Sequence, residues 1–326
     1  MPSTAPEVPP GASSSRPVIR VAAGVLKRPT GEVLFTQRPE GKIAAGWWEF
    51  PGGKIESGEA GFDALTRELE EELGVRVREA HPLIRFRHDY SNRTVLLETW
   101  LVTAYDGEPQ SREAQALRWV VPEALTAWPQ ALPTVLPIVR ALTLPVEYVF
   151  TPPGAGADDI VNGLSRLPAG SLLRLRLPDL DDLHYHRIAE TVAPHVAAAG
   201  LRLVLDRSAS EAASLGAAGW HATAAVLRRM YALPAAPGLR LASVHDAQDL
   251  RCAQDLGFDA AVLGAVLPTA THPGAATLGW GGFFAVRAHA ALPVFAIGGV
   301  GPGALADAFR AWGQGVAAIS AYWPRR

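Results

Sequence analysis

Eight short apolar runs between residues 147 and 320 constrain the fold of this chain more than any other feature. They are EYVFT (147–151), LLRLRL (172–177), LRLVLD (201–206), GWHAT (219–223), RLASVH (240–245), AAVLGAV (260–266), PVFAIG (293–298) and GVAAIS (315–320). Helix-forming segments alternate with them. Continuous apolar strands suit a parallel sheet covered on both faces. Eight strand–helix units in series predict an α/β (β/α)8 TIM barrel. Only AYWPRR follows the last run, so the final helix is missing or other packing takes its place.

The chain before residue 147 has a different grammar. VIRVAAGVLK (18–27) and EVLFTQR (32–38) read as strands around a turn, as do RTVLLETWLVTAY (93–105) and QALRWVV (115–121). A helix is expected over 58–73, with Gly74 as its stop. Another is expected over 131–142 despite its prolines. This irregular mixture predicts an α+β domain over residues 18–142, followed by the barrel over 147–326. Residues 1–17, rich in Pro, Ser and Ala, predict a disordered tail and not a signal peptide.

Among 326 residues, 48% are hydrophobic and the net charge is −2, so two cores fit and nothing draws the chain to nucleic acid. No run of about 18 apolar residues predicts a membrane span. Cys252 is the single cysteine, which excludes a disulfide framework and a cysteine zinc site, and suits a reducing cytoplasmic setting.

The expected helix over 58–73 belongs to the stretch GGKIESGEAGFDALTRELEEELGV (52–75). Six carboxylates fall between Glu59 and Glu72, against Arg67 alone. On a helical wheel Phe62, Leu65, Leu69 and Leu73 form the core stripe. Glu68, Glu71 and Glu72, at i, i+3 and i+4, share the face beside it and repel one another. A solvated face interleaves lysine with glutamate; this one does not. A divalent cation removes the repulsion. Magnesium takes hard oxygen ligands, and glycines at 52 and 53 let the backbone come close.

Gly53, five residues, Glu59, seven residues and then RELEEELGV fill every position of the Nudix box. Over residues 18–142 the chain resembles the Nudix hydrolases. The resemblance implies Mg²⁺ or Mn²⁺ bound by the Gly53 carbonyl, Glu68 and Glu72, with Glu71 assisting. Arg67 and Glu59 would orient a glutamate. A further carboxylate from a distant loop is expected, and Glu113 in SREAQALRW is the candidate; an exposed loop glutamate is the alternative. The implied reaction is attack of water on a diphosphate.

The segment LFTQRPEGKIAAGWWEFPGGKIESGE is similar to the MutT type, which cleaves 8-oxo-dGTP to the monophosphate and pyrophosphate. Arg38 falls at a nucleotide-contacting arginine of that type. Phe50 falls in the strand flanking the base, or is core. Trp47 and Trp48 are either a stacking wall or core. Where that type reads the purine with asparagine, this sequence has Leu132. Loss of that reader leaves thiamine diphosphate, or a damaged form of it, as an alternative substrate.

The second half contains PVFAIGGVGPGALADAF, a strand, a glycine turn and a helix, and GFDAAVLGAVLPTATHPGAATLGW. On these it resembles thiamine phosphate synthase and TenI. The resemblance implies a phosphate site near Thr269, Thr271, Gly298, Gly299 and Ser320, with Asp206, His221 and His245 also at strand C-termini. The two histidines are acid/base or structural groups. The synthase motif Gln-Leu-Arg-x-Lys is RLRLP here: Arg176 is kept, but Arg174 and Pro178 replace the glutamine and lysine. Val226 and His272 replace a further aspartate and lysine. These departures predict a barrel that binds a phosphorylated ligand without synthase activity, as a non-catalytic binding module or with a different reaction.

Overall fold

The computed structural model describes residues 16–269 and 274–323. Contacts divide the chain between Leu136 and Pro137 into two compact units.

The first unit contains β1 (Val18–Leu26), β2 (Val33–Gln37), β3 (Trp48–Glu49), β4 (Gly52–Lys54), α1 (Gly61–Leu73), β5 (Arg76–Asp89), β6 (Thr94–Asp106) and β7 (Leu117–Val120). One sheet has the order β4-β1-β6-β5 and a second the order β3-β2-β7. β1 runs parallel to β6 and antiparallel to β4. Leu65, Leu69 and Leu73 of α1 are fully buried against Ala22 and Leu26 of β1, Leu34, Val77 and Val102. Gly24 permits the close approach, because a Cβ there would lie 2.8 Å from Leu69. The smaller sheet is held by rings: Phe35 stacks on Trp48 at 5.7 Å and meets Phe50 edge-on at 5.4 Å.

Two expectations for α1 need correction. Phe62 is not core: it lies in the first turn, 37% exposed, edge-on to Trp100. The buried residue of that turn is Gly61, where a side chain would overlap Glu98. The helix also starts at Gly61 and not at residue 58, because Gly58 is left-handed and the Glu59 carboxylate accepts from the Glu56 N–H at 2.8 Å, closing a turn. Gly74 ends it in the left-handed region, as its chemistry demands.

The second unit begins within α2 (Val135–Thr143), which starts after Pro133 and not at residue 131. There follow β8 (Glu147–Phe150), α3 (Ala157–Gly163), β9 (Leu172–Leu175), α4 (Asp182–Ala198), β10 (Arg202–Leu205), α5 (Ala209–Ser214), β11 (Gly219–Ala222) and α6 (Ala224–Leu227). Then come β12 (Leu239–Val244), α7 (Ala247–Leu256), β13 (Ala260–Gly264), α8 (Gly279–Arg287), β14 (Val294–Ile297), α9 (Leu305–Arg310) and β15 (Gly315–Ala318). β8 to β15 close into a parallel barrel, with β15 pairing to β8. All eight apolar runs are strands of it.

Alternation sorts the barrel residues. Tyr148, Leu172, Val204, Leu241, Val262, Phe295 and Ala317 fill the lumen. Their neighbours Val149, Leu173, Leu205, Ala242, Leu263 and Val316 face the helices. Among the described residues, no helix is long and apolar enough to cross a membrane.

Trp323, the last of the described residues, packs against the barrel. It is 8% exposed, packs so closely on Gly163 of α3 that a Cβ there would overlap its ring, and donates its indole N–H to the Phe150 carbonyl at 2.9 Å. Trp323→Ala removes a buried ring and a buried hydrogen bond together. The expected cost is about 3–5 kcal/mol of stability, read from urea unfolding followed by circular dichroism. A cost below about 1 kcal/mol would mean that the tryptophan does not brace the barrel.

Candidate active site

The acidic face of α1 rests on a strand made of glycine. At Gly52 a Cβ would overlap the Ala22 carbonyl, and at Gly53 it would overlap the Glu68 carboxylate. Only bare backbone fits between β1 and the helix at this point. The Gly52 N–H donates to Glu72 Oε2 at 3.2 Å.

Arg67 organises the remaining acids, so the face is not uncompensated as the sequence suggested. Its Nε and Nη2 donate to the two oxygens of Glu59 at 3.0 and 3.1 Å. Nη1 donates to Glu68 at 2.8 Å and to Glu71 at 3.4 Å, and Nη2 also reaches the Lys54 carbonyl at 3.0 Å. The hydrogen bonds from Arg67 and from the Glu56 N–H hold the Glu59 carboxyl below its usual range. Glu72 lacks such a partner. Burial pushes its carboxyl up to about 7, against the Gly52 N–H and the nearest ammonium, Lys42, at 4.0 Å.

Residues 110–115 bring Glu113 to the same place. The end of α1 leaves carbonyls without helical partners, and this loop uses them. The Gln110 N–H donates to Leu73 O at 2.9 Å, the Arg112 side chain to Glu70 O at 2.9 Å and Gln115 Nε2 to Glu72 O at 3.0 Å. Gln115 Oε1 accepts from the Glu113 N–H at 2.9 Å. Glu113 is ion-paired with Lys42.

A cleft of about 1160 Å³ is lined both by these acids and by the β5–β6 hairpin. Gly53, Glu68, Glu72, Glu113 and Lys42 line it, and so do Tyr90, Asn92, Arg93, Leu132 and Thr134. Arg38 and Trp47 line it as well. Arg38 pairs with Glu49 and donates to Ile43 O at 2.6 Å, which fixes the loop after β2. Phe50 and Trp48 are not lining residues; both are core, held by the Phe35 cluster. Glu59, Arg67 and Glu71 stand behind the lining, and the Glu71 side chain is 61% exposed.

Lys42, Gln115 and the hairpin tip did not emerge from the sequence. The polar, aromatic turn HDYSNR was the available signal for the tip. There Arg93 stands 5.2 Å over the Tyr90 ring, and burial raises the Tyr90 phenol against a hydrogen bond with Thr134.

Among the described residues, no three His, Cys, Asp or Glu side chains already converge on a metal position. Glu68 is turned to Arg67 and Glu113 to Lys42. The donors nevertheless fit a hard divalent cation. The Gly53 backbone lies directly against the Glu68 carboxylate, and Glu72 is a buried carboxylate short of positive charge.

The barrel residues named from the sequence separate into two groups. Asp206 follows β10 and is clamped by Arg174 at 2.9 and 3.1 Å. His221 is fully buried in the lumen and not at the mouth: Nδ1 lies 2.9 Å from the Tyr148 hydroxyl and Nε2 2.8 Å from Ser243 Oγ. Burial, with Arg174 and Arg176 nearby, keeps its imidazole pKa far below the ordinary value, so it is neutral. His245 and Ser320 are exposed at the strand C-termini. Gly298 and Gly299 are left-handed and cross tightly over Ala265 and Pro268. Thr271 and His272 lie outside the described residues.

Comparison with known proteins adds two family matches. The model of a NUDIX domain matches residues 22–136, and that of thiamine monophosphate synthase (TMP-TENI) matches residues 147–322. An 8-oxo-dGTP diphosphatase of Haemophilus influenzae is 42% identical over 110 residues, covering 34% of this chain and 81% of its own. A CTP pyrophosphohydrolase of Escherichia coli is 38% identical over 124 residues, covering 38% and 90%. An 8-oxo-dGTP diphosphatase of Escherichia coli is 33% identical over 102 residues, covering 31% and 79%.

The buried Glu72 makes a prediction for the metal-free protein. Its carboxyl binds a proton more tightly folded than unfolded, so its contribution is fully present below about pH 4.5 and is lost as pH rises through about 7. In chelator, Glu72→Gln is expected to be about 2–3 kcal/mol more stable than wild type near pH 8.5 and equal to it near pH 4. Chemical denaturation at the two pH values measures the difference. A variant less stable than wild type at the higher pH would refute the assignment of Glu72 as a strained acid.

Proposed function

Because the chain belongs to the thiamine monophosphate synthase family through residues 147–322 and is a Nudix pyrophosphohydrolase through residues 22–136, we propose that its N-terminal unit hydrolyses 8-oxo-dGTP to the monophosphate and pyrophosphate. The observation that carries this is the single cleft. Four oxygen donors, Gly53, Glu68, Glu72 and Glu113, share it with an aromatic and polar hairpin. That combination suits a polyphosphate joined to a base.

In this reading Glu68, Glu72 and the Gly53 carbonyl hold Mg²⁺ or Mn²⁺, with Glu113 completing the set. The metal supplies charge neutralisation at the phosphates and a more acidic bound water. Arg67, oriented by Glu59, fixes the carboxylate of Glu68. Glu71 acts through Arg67 from outside the cleft. Arg38 contacts the nucleotide and holds the loop beside it. Water adds to phosphorus, the P–O bond to the oxygen bridging the α and β phosphates breaks, and pyrophosphate leaves.

Leu132 favours a second reading. It lines the cleft where the MutT type has an amide, and leucine makes no hydrogen bonds to a purine edge. A relative of similar identity is named for CTP. A cytosine nucleotide is the natural rival, and thiamine diphosphate is a third candidate because of the domain on the same chain.

For the barrel we propose a ligand site for a phosphorylated molecule without synthase chemistry. Arg174 occupies Asp206, and Pro178 has no ammonium to offer.

Purified protein with Mg²⁺ is offered 8-oxo-dGTP, dGTP, CTP and thiamine diphosphate, and the released pyrophosphate and phosphate are measured. The proposal expects the highest kcat/KM for 8-oxo-dGTP. Glu72→Gln should lower kcat at least about 1000-fold while remaining folded. A preference for CTP would transfer the assignment to cytosine nucleotides, and phosphate from thiamine diphosphate would transfer it to thiamine chemistry. Formation of thiamine phosphate from pyrimidine diphosphate and thiazole phosphate would refute the barrel proposal.

A further inference from the structure

Among the described residues, Lys42 is the lysine paired with the acids of the cleft, and no step above uses it. It stands in the loop between β2 and β3, ion-paired with Glu113 and 4.0 Å from Glu72 Oε1. Those two carboxylates come from different parts of the chain, α1 and the loop 110–115, so the lysine bridges them. Its side chain is 45% exposed and has room to leave.

The backbone of the loop that carries Lys42 is tied at its base and, through Arg38 to Ile43 O at 2.6 Å, beside Lys42 itself, which leaves the lysine side chain as its movable part. The Arg38 N–H donates to Trp47 O at 2.8 Å, and the Gly46 N–H to Arg38 O at 2.9 Å. Gln37 Nε2 donates to Gly46 O at 2.9 Å. Between these ties Gly41 and Ala44 adopt positive φ, and Ile43 is 64% exposed. The base sets where Lys42 starts, while its four-carbon stem sets how far the ammonium swings. Arg38, Lys42 and Ile43 all line the cleft.

We infer that Lys42 is an exchangeable cation: it neutralises Glu72 and Glu113 in the metal-free enzyme, yields them to the divalent ion, and then binds the polyphosphate of the nucleotide. The inference rests on the reading that Glu72 and Glu113 are metal ligands. A single flexible ammonium cannot satisfy both the acids and the metal, since the three positive charges would share one pocket. Released, it finds the anionic phosphates in the same cleft. The ammonium thus links metal loading to substrate capture. An empty site keeps its lysine engaged with acid, and a loaded site presents it to phosphate.

The test measures Mn²⁺ binding to chelator-stripped full-length protein by calorimetry, before any substrate is added. Lys42→Met should tighten Mn²⁺ about fivefold, the scale of a partly exposed ion pair. Lys54→Met removes an equal charge from the same cleft wall, but from a side chain outside the Glu72–Glu113 pair. It should change the affinity less than about twofold. At saturating Mg²⁺, Lys42→Met should raise the nucleotide KM about tenfold and lower kcat much less. No tightening in Lys42→Met, equal tightening in both variants, or an unchanged KM overturns the inference. Glu72→Gln separates the two claims. Lost Mn²⁺ binding keeps the metal reading whatever Lys42→Met does; wild-type affinity overturns the metal reading and the inference with it.

Discussion

The active-site region of the first unit depends on one guanidinium. Arg67 presents its donors in a rigid planar fork, and four different acceptors take them: Glu59, Glu68, Glu71 and the carbonyl of Lys54. One side chain thereby joins the turn before α1, the helix itself and β4. A lysine at this position has a compact ammonium, which lacks the bidentate grip on Glu59. The acids Glu59, Glu68 and Glu71 are thus held by one side chain. What the arginine does not reach is Glu72, and that residue is left with the raised carboxyl pKa.

The helix end solves a second problem, the delivery of a distant carboxylate. Loops carry function when a rigid element positions them. Here the rigid element is the set of unpaired carbonyls that any α-helix leaves at its C-terminus. Gln110 and Gln115 take those of Leu73 and Glu72, and Arg112 adds a second bond to Glu70 O, which already accepts from the Gly74 N–H. Glu113, between these anchors, has no choice but to face the acids of α1. The same arrangement hides Gln115, 6% exposed, in a position where a loop glutamine would ordinarily be solvated.

What the sequence revealed follows from how locally each signal is encoded. The barrel was legible because its strands are continuous apolar runs, and each of the eight became a strand. The box on α1 was legible because its spacing is fixed by helix geometry. β5 was not, because register shifts near Val77, Glu79 and Pro82 break the alternation that identifies a strand. With β5 went the hairpin tip and its cleft residues. Lys42 was hidden for a different reason: its partners lie 30 and 71 residues away, and no local pattern announces a long-range ion pair. Phe50 failed as a substrate contact because strand position alone does not say which face of a sheet is the core.

The barrel holds its buried polar groups in closed partnerships. Asp206 follows β10, at the strand end nearest the mouth of a parallel barrel. Arg174, from the neighbouring strand, meets it with two hydrogen bonds, and both side chains are at most 10% exposed. A cation that took this aspartate would strand a buried arginine, at a cost of about 3–5 kcal/mol. His221 is withdrawn in the same way, neutral and bonded on both nitrogens to Tyr148 and Ser243. Polar groups at the described end of the barrel include His245, Asp246, Ser320 and the backbone of Gly298 and Gly299. The two left-handed glycines suit an anion held by backbone N–H groups.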